Sequence, residues 1–173
     1  VIGKGFDVRA LETARRLHGL GADVHVWLLA FHNGQPDSAL RQSRTDSNVT
    51  GLHALFLPER IKEVHIDLGG AFQDPIASMK TYEEIRGAGD PGEYDDVIVD
   101  ISAMPRMVAM TSVAVLLHRL DNPPFEGECV NLHVTTAESV TADLGAGQGS
   151  LRDQVSFVRG FSGELTAQTS KEL

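Results

Sequence analysis

Residues 97–110 read VIVDISAMPRMVAM. Val97, Ile98 and Val99 are β-branched and favour a strand covered on both faces. Asp100 ends the apolar run, Pro105 follows, and from Met107 to Leu117 the chain is apolar nearly all round. A proline suits the first turn of a helix, where its missing N–H has no partner to lose. The stretch therefore predicts a strand, a short polar turn and a deeply packed helix, the repeating unit of a parallel sheet. Its turn sets an acid (Asp100), a hydroxyl (Ser102) and a cation (Arg106) between two buried elements.

The same alternation extends in both directions. Val1-Ile2 reads as the end of a first strand, opening as if cut partway, so residues upstream are expected. A helix over Arg9–Leu20 should bury Leu11, Ala14, Leu17 and Leu20, with Gly19 and Gly21 marking its stop. A second strand, Val24–Phe31, is apolar enough for both faces to be covered. Asp37 or Ser38 should cap a helix reaching Phe56, broken near Asp46-Ser47 and closed by Pro58. Residues 62–68 predict a third strand ended by Gly69-Gly70, and Ser78–Ile85 a helix. Residues 86–96 predict a surface loop and 105–120 a helix. Residues 121–127 predict a turn, 128–136 a fifth strand and 155–161 a short added strand. The expected fold is α/β and Rossmann-like: a mainly parallel sheet with helices on both faces. Residues 1–144 are expected to form that domain, and 145–173 a flexible or accessory segment that could continue into a longer protein.

Charge narrows the partners. The 173-residue chain carries 15 Lys and Arg against 24 Asp and Glu, a formal charge of −9. Such a surface argues against direct binding to duplex nucleic acid, which relies on neutralising phosphates. It leaves room for a small anion in a locally basic pocket. One cysteine, Cys129, permits neither an internal disulfide nor a cysteine zinc site, and reads as a small core residue. No apolar run approaches the roughly 20 residues of a membrane span. No signal peptide is visible, so a cytoplasmic location and no membrane partner are expected.

In an open parallel sheet, ligands bind beyond the carboxyl ends of the strands. The residues expected there are Gly3, Lys4, Gly5, Phe6, Asp7 and Arg9, then His32 and Asn33. Asp67, Gly69 and Gly70 follow the third strand, Asp100, Ser102 and Arg106 the fourth, and Thr135, Thr136 and Glu138 the fifth. The candidate ligand-binding set is Gly3, Lys4, Gly5, Asp7, Arg9, His32, Asp100, Ser102, Arg106 and Glu138. Unpaired N–H groups at the start of the 105–120 helix, the Ser102 hydroxyl and the Arg106 fork make a cradle for phosphate or carboxylate. Lys4 would join them at the phosphates, and Asp100 would orient Arg106 or accept from a sugar hydroxyl. The plainer alternative makes Ser102 a cap and Asp100–Arg106 an ion pair. VIGKGFD, residues 1–7, is half of a glycine-rich phosphate loop: Val8 stands where G-x-G-x-x-G needs its third glycine. Its plainer reading is a tight turn with solvated charges. Among seven histidines, His32 at a strand end is the functional candidate, whereas His25, His65 and His133 sit within strands. His32, Asp67 and Asp100 have metal-binding chemistry, but no motif requires an ion, and no cofactor is assigned.

The turn at Asp100, Ser102 and Arg106 resembles the ligand loop of CRISPR-associated Rossmann fold (CARF) sensor domains. Those domains carry a D-[IL]-[ST]-x-x-x-[KR]-like pattern between the fourth strand and a buried helix. The resemblance implies a homodimeric domain that binds a cyclic oligonucleotide or related nucleotide messenger and controls an effector, often a nuclease. The sequence itself shows no effector. The resulting expectation is a nucleotide-binding regulatory domain of a prokaryotic antiviral defence or signalling protein, with helix 105–120 transmitting occupancy. Two alternatives stay open: a nucleotide- or sugar-processing hydrolase or transferase using Asp100 or Asp7 as base, and a protein-interaction scaffold.

Overall fold

In a computed structural model of the chain, residues 1–32, 34, 36–68, 74–121 and 130–137 are described. Strands and helices alternate: β1 (Ile2–Gly3), α1 (Glu12–Gly19), β2 (Val26–His32), α2 (Ala39–Leu55), β3 (Ile61–Asp67), α3 (Asp74–Gly87), β4 (Asp96–Asp100), α4 (Arg106–Asp121) and β5 (Asn131–Thr135). Every strand pair is parallel, and the order across the sheet is β3-β2-β1-β4-β5. This is the α/β Rossmann-like arrangement that the alternation predicts. Chain order proceeds outward from β1 to β3, then restarts on the other side of β1 with β4. The carboxyl ends of β1 and β4 therefore flank the reversal, the place where such sheets leave a crevice.

The sheet separates two apolar layers, because successive side chains of a strand point to opposite faces. On one face Trp27 and Leu29 of β2, Val64 and Ile66 of β3, and Val97 and Val99 of β4 pack with Ala77 and Ile85 of α3. Met107, Val108, Val115 and Leu116 of α4 complete that layer. On the other, Ile2 of β1 and Val26 and Leu28 of β2 meet Leu11 and Ala14, with Leu52 and Phe56 from the end of α2. Five consecutive buried residues, Val26–Ala30, account for the uninterrupted apolar reading of β2.

Several boundaries differ from the sequence expectation. The helix expected from Arg9 begins as a 3-10 turn, Val8–Leu11, capped by Asp7, before α1 proper. Leu20 lies beyond α1 and is 81% exposed, so it leaves the buried stripe. Helix α2 runs without the expected break near Asp46, capped by Ser38, whose hydroxyl accepts from the Arg41 N–H at 3.3 Å. Helix α3 begins at Asp74, ahead of Ser78, with Pro75 in the first turn where proline is favourable. Helix α4 is less enclosed than expected, since Met110 and Leu117 are exposed. Among the described residues, no helix is long and apolar enough to cross a membrane. The readings at Asn33, Gly69, Gly70, Cys129 and Glu138, and those for 155–161 and 145–173, fall outside the described residues.

Candidate functional site

The loop after β1 folds back against the turn after β4. The Lys4 N–H donates to the Leu29 carbonyl at 2.8 Å, so the backbone leaves the sheet only after Lys4. Gly3 and Gly5 then press on Ala103: a Cβ at either position would stand 2.9 or 2.8 Å from the Ala103 carbonyl oxygen. Their missing side chains admit the neighbouring loop, which is a structural use of glycine.

Asp7 and Arg9 satisfy one another. The Asp7 carboxylate accepts from the Arg9 backbone N–H at 2.9 Å and from Nε and Nη2 of the guanidinium at 2.9 and 2.6 Å. These bonds, the guanidinium's first, hold the Asp7 carboxyl below its ordinary pKa, against a smaller opposing effect of burial. The carboxylate occupies the amino end of the 3-10 turn, the position that a ligand phosphate takes in a dinucleotide fold. Asn48 of α2 fastens the loop from the other side, its Nδ2 donating to the carbonyls of Gly5 and Asp7 at 2.8 Å each. The two bonds bracket Phe6, which is 41% exposed. Arg41 of α2 lies over the Phe6 ring, 4.9 Å from its centroid. Lys4 pairs with Glu63 of β3 at 2.7 Å.

The turn after β4 divides its three polar side chains. Asp100 is buried, and its Oδ1 accepts from the Ser102 N–H at 2.8 Å. Its Oδ2 has no hydrogen-bond partner among the described residues. Asp100 lines a cavity of about 870 Å³ together with Thr13 and Thr135, not the crevice at the reversal. The Ser102 Oγ accepts from the Ala137 N–H at 2.7 Å, tying the turn to the segment after β5 and leaving its own proton to donate. Arg106 is exposed at the start of α4, and no ion pair joins it to Asp100 among the described residues.

A cleft of about 620 Å³ opens at the reversal. Its walls are Lys4, Gly5, Phe6 and Asp7 from the first loop, Ala30, Phe31 and His32 from β2, and Leu68 after β3. Pro36 and Asp37, then Arg41, Gln42 and Thr45 of α2, form another side, and Ser102, Ala103, Met104 and Pro105 close it. Of the sequence candidates, Lys4, Gly5, Asp7, His32 and Ser102 share this cleft, and Arg106 follows the lining Pro105. Gly3, Arg9 and Asp100 do not line it. Phe6 appeared in the sequence reading only as a residue after β1, and Arg41, Gln42, Thr45 and Asn48 of α2 went unread. The one available signal was Asn48, a residue that disfavours helix interiors unless its amide has a partner.

The two carboxylates proposed as bases do not converge: Asp7 is locked to Arg9, and Asp100 faces the other cavity. Among the described residues, no group of three or more His, Cys, Asp or Glu side chains is placed to hold a metal ion. Four cations surround the β1 and β4 ends, and two are already neutralised, Lys4 by Glu63 and Arg9 by Asp7. Arg41 and Arg106 have no carboxylate partner among the described residues. Compared with known proteins, the chain matches no family model, no curated protein and no solved structure.

Proposed function

We propose that this domain is a regulatory module that binds a nucleotide-type anion in the cleft between the β1 and β4 loops. One observation carries the reading: the cleft lies at the strand-order reversal, with Arg41 in its wall and Arg106 next in sequence to the lining Pro105, neither with a carboxylate partner among the described residues. The first N–H groups of α4 and the Ser102 hydroxyl supply further donors beside Arg106. The lack of convergence between Asp7 and Asp100 favours binding over hydrolysis or group transfer. The resemblance of the Asp100–Arg106 turn to CARF sensor loops agrees with this reading and extends it to a nucleotide messenger, a homodimer and a role in prokaryotic defence. In that extension α4, packed along most of its length, carries occupancy to an effector.

The test is thermal unfolding with mono-, di- and cyclic oligonucleotides, on the wild-type chain and on Arg106→Ala. A ligand at about 100 times its Kd stabilises the folded state by about 2.7 kcal/mol, a readable shift in Tm. The expected result is a shift with at least one nucleotide that Arg106→Ala reduces. A folded chain that no nucleotide stabilises would overturn the proposal and favour a protein partner at this edge. Turnover of a bound nucleotide would move the assignment to an enzyme.

A further inference from the structure

Phe6 is oddly placed for a loop phenylalanine. It is 41% exposed, yet its loop is held on both sides by a single amide, Asn48, bonded to the carbonyls before and after it. Two such bonds fix a ring that hydrophobic burial alone would turn inward. The ring lines the cleft, and what lies on its face is a planar, delocalised cation, the Arg41 guanidinium. A guanidinium stacked on an aromatic ring has the thickness and flatness of a heterocyclic base.

We infer that Phe6 is a stacking platform for the planar ring of the ligand, and that Arg41, which lies over its ring, holds that platform until the ligand displaces it. The inference rests on the proposed ligand reading of the cleft and specifies the ligand further: an aromatic heterocycle joined to an anionic group. When the heterocycle stacks on Phe6, Arg41 leaves the ring and its charge turns to the anion, which α4 and Arg106 hold from the far side. Displacement replaces the cation–π contact of Arg41 with a stacked base, so part of what is lost at the ring is regained there. The freed guanidinium, having no carboxylate partner among the described residues, is available for a bidentate contact. Asn48 is the positioning residue: it touches no ligand but holds the loop that presents the ring.

The experiment compares adenosine 5′-monophosphate with ribose 5-phosphate by calorimetric titration of the wild-type chain, Phe6→Leu and Phe6→Trp. Ribose 5-phosphate has the anion and the sugar without the base. Stacking of one base on one aromatic side chain corresponds to roughly a 5- to 100-fold change in affinity. Phe6→Leu is expected to weaken the monophosphate by about that factor and to leave ribose 5-phosphate unchanged. In Phe6→Trp the new indole fluorescence should be quenched by the monophosphate and not by ribose 5-phosphate, over the constant background of the buried Trp27. Monophosphate binding that Phe6→Leu leaves intact would overturn the stacking inference while the cleft reading stood. Failure of both compounds to bind the folded wild-type chain would overturn the two together.

Discussion

At the scale of single residues, the candidate site is built from side chains that restrain one another. Asn48 is the clearest case. Its amide serves two loop carbonyls: that of Gly5, and that of Asp7, which also accepts from the Ala10 N–H at 3.1 Å. Asn48→Ala should destabilise the chain by about 1–3 kcal/mol, the cost of leaving the partly buried Gly5 carbonyl without its donor while the Asp7 carbonyl keeps the Ala10 N–H, as read by urea unfolding. An unchanged midpoint would mean that solvent serves those carbonyls equally well. The Asp7–Arg9 pair makes a smaller contribution, because both side chains keep about a fifth to a quarter of their exposure. Pairing depresses the Asp7 pKa in the folded state. The stabilisation is therefore complete above the unfolded carboxyl value, near 3.9, and is lost as pH falls through the lower folded value. Wild type should exceed Arg9→Met by less than ~1 kcal/mol at pH 7, with the gap closing below about pH 4. A gap that persisted at pH 2 would show that Arg9 acts through packing and not through the carboxylate.

At the scale of elements, the two loops that carry the candidate residues are fitted backbone to backbone. Ala103 stands where a Cβ at Gly5 would go, at 2.8 Å from its carbonyl oxygen and 2.9 Å from its Cβ. Gly5→Ala must push the loops apart and should cost about 1–3 kcal/mol, as overpacking does. Gly19→Ala is the matched control. It lies in the last turn of α1 with nothing within 4 Å of the added carbon, and should be neutral or stabilising by up to ~1 kcal/mol through helix propensity. Equal Tm losses in the two variants would rule out the loop contact as the cause. These same loops mark the limit of what the sequence made legible. Strand-helix alternation is written in apolar period, so β2, β4 and α4 could be read from Val24–Phe31, Val97–Val99 and Met107–Leu117. The reversal then located the cleft without any motif. Side-chain pairing across elements leaves no periodic trace. Nothing local says that Lys4 is taken by Glu63, 59 positions away, or that Arg41 of α2 lines the cleft with no carboxylate partner among the described residues. Asp100 was read as a ligand group because it ends a strand, but one position in a strand decides the face, and its face belongs to the other cavity.

At the scale of the molecule, the sheet is asymmetric in a way that bears on the site. Strand β2 is buried along nearly its whole length and bonded on both sides. Among the described residues, strand β5 is an edge strand, without a buried residue, and pairs only with β4. Besides its backbone ladder with β4, it is tied by Asp96 of β4, whose carboxylate accepts from the Asn131 amide at 3.1 Å and bonds the His133 ring at 2.9 Å. The bonds from His133 and Asn131 hold the Asp96 carboxyl below its ordinary pKa. The other end of β5 holds the candidate site: the Ile101 N–H donates to the Thr135 carbonyl at 2.9 Å, and Ser102 accepts from the Ala137 N–H. Local opening free energy is lowest where few apolar contacts are buried. Among the described strands, hydrogen exchange should therefore be fastest in residues 131–135 and slowest at Leu29 and Val99, both fully buried. Asp96→Ala removes the cross-strand acceptor at the amino end of β5. It should speed exchange in 131–135 and carry that loosening along the strand to Ile101 and Ser102, while Leu29 and Val64 keep wild-type rates. If exchange at Ile101 and Ser102 is unchanged while 131–135 opens, β5 does not brace the β4–α4 turn, and the turn's order comes from Ala103 packed against Gly3 and Gly5 alone.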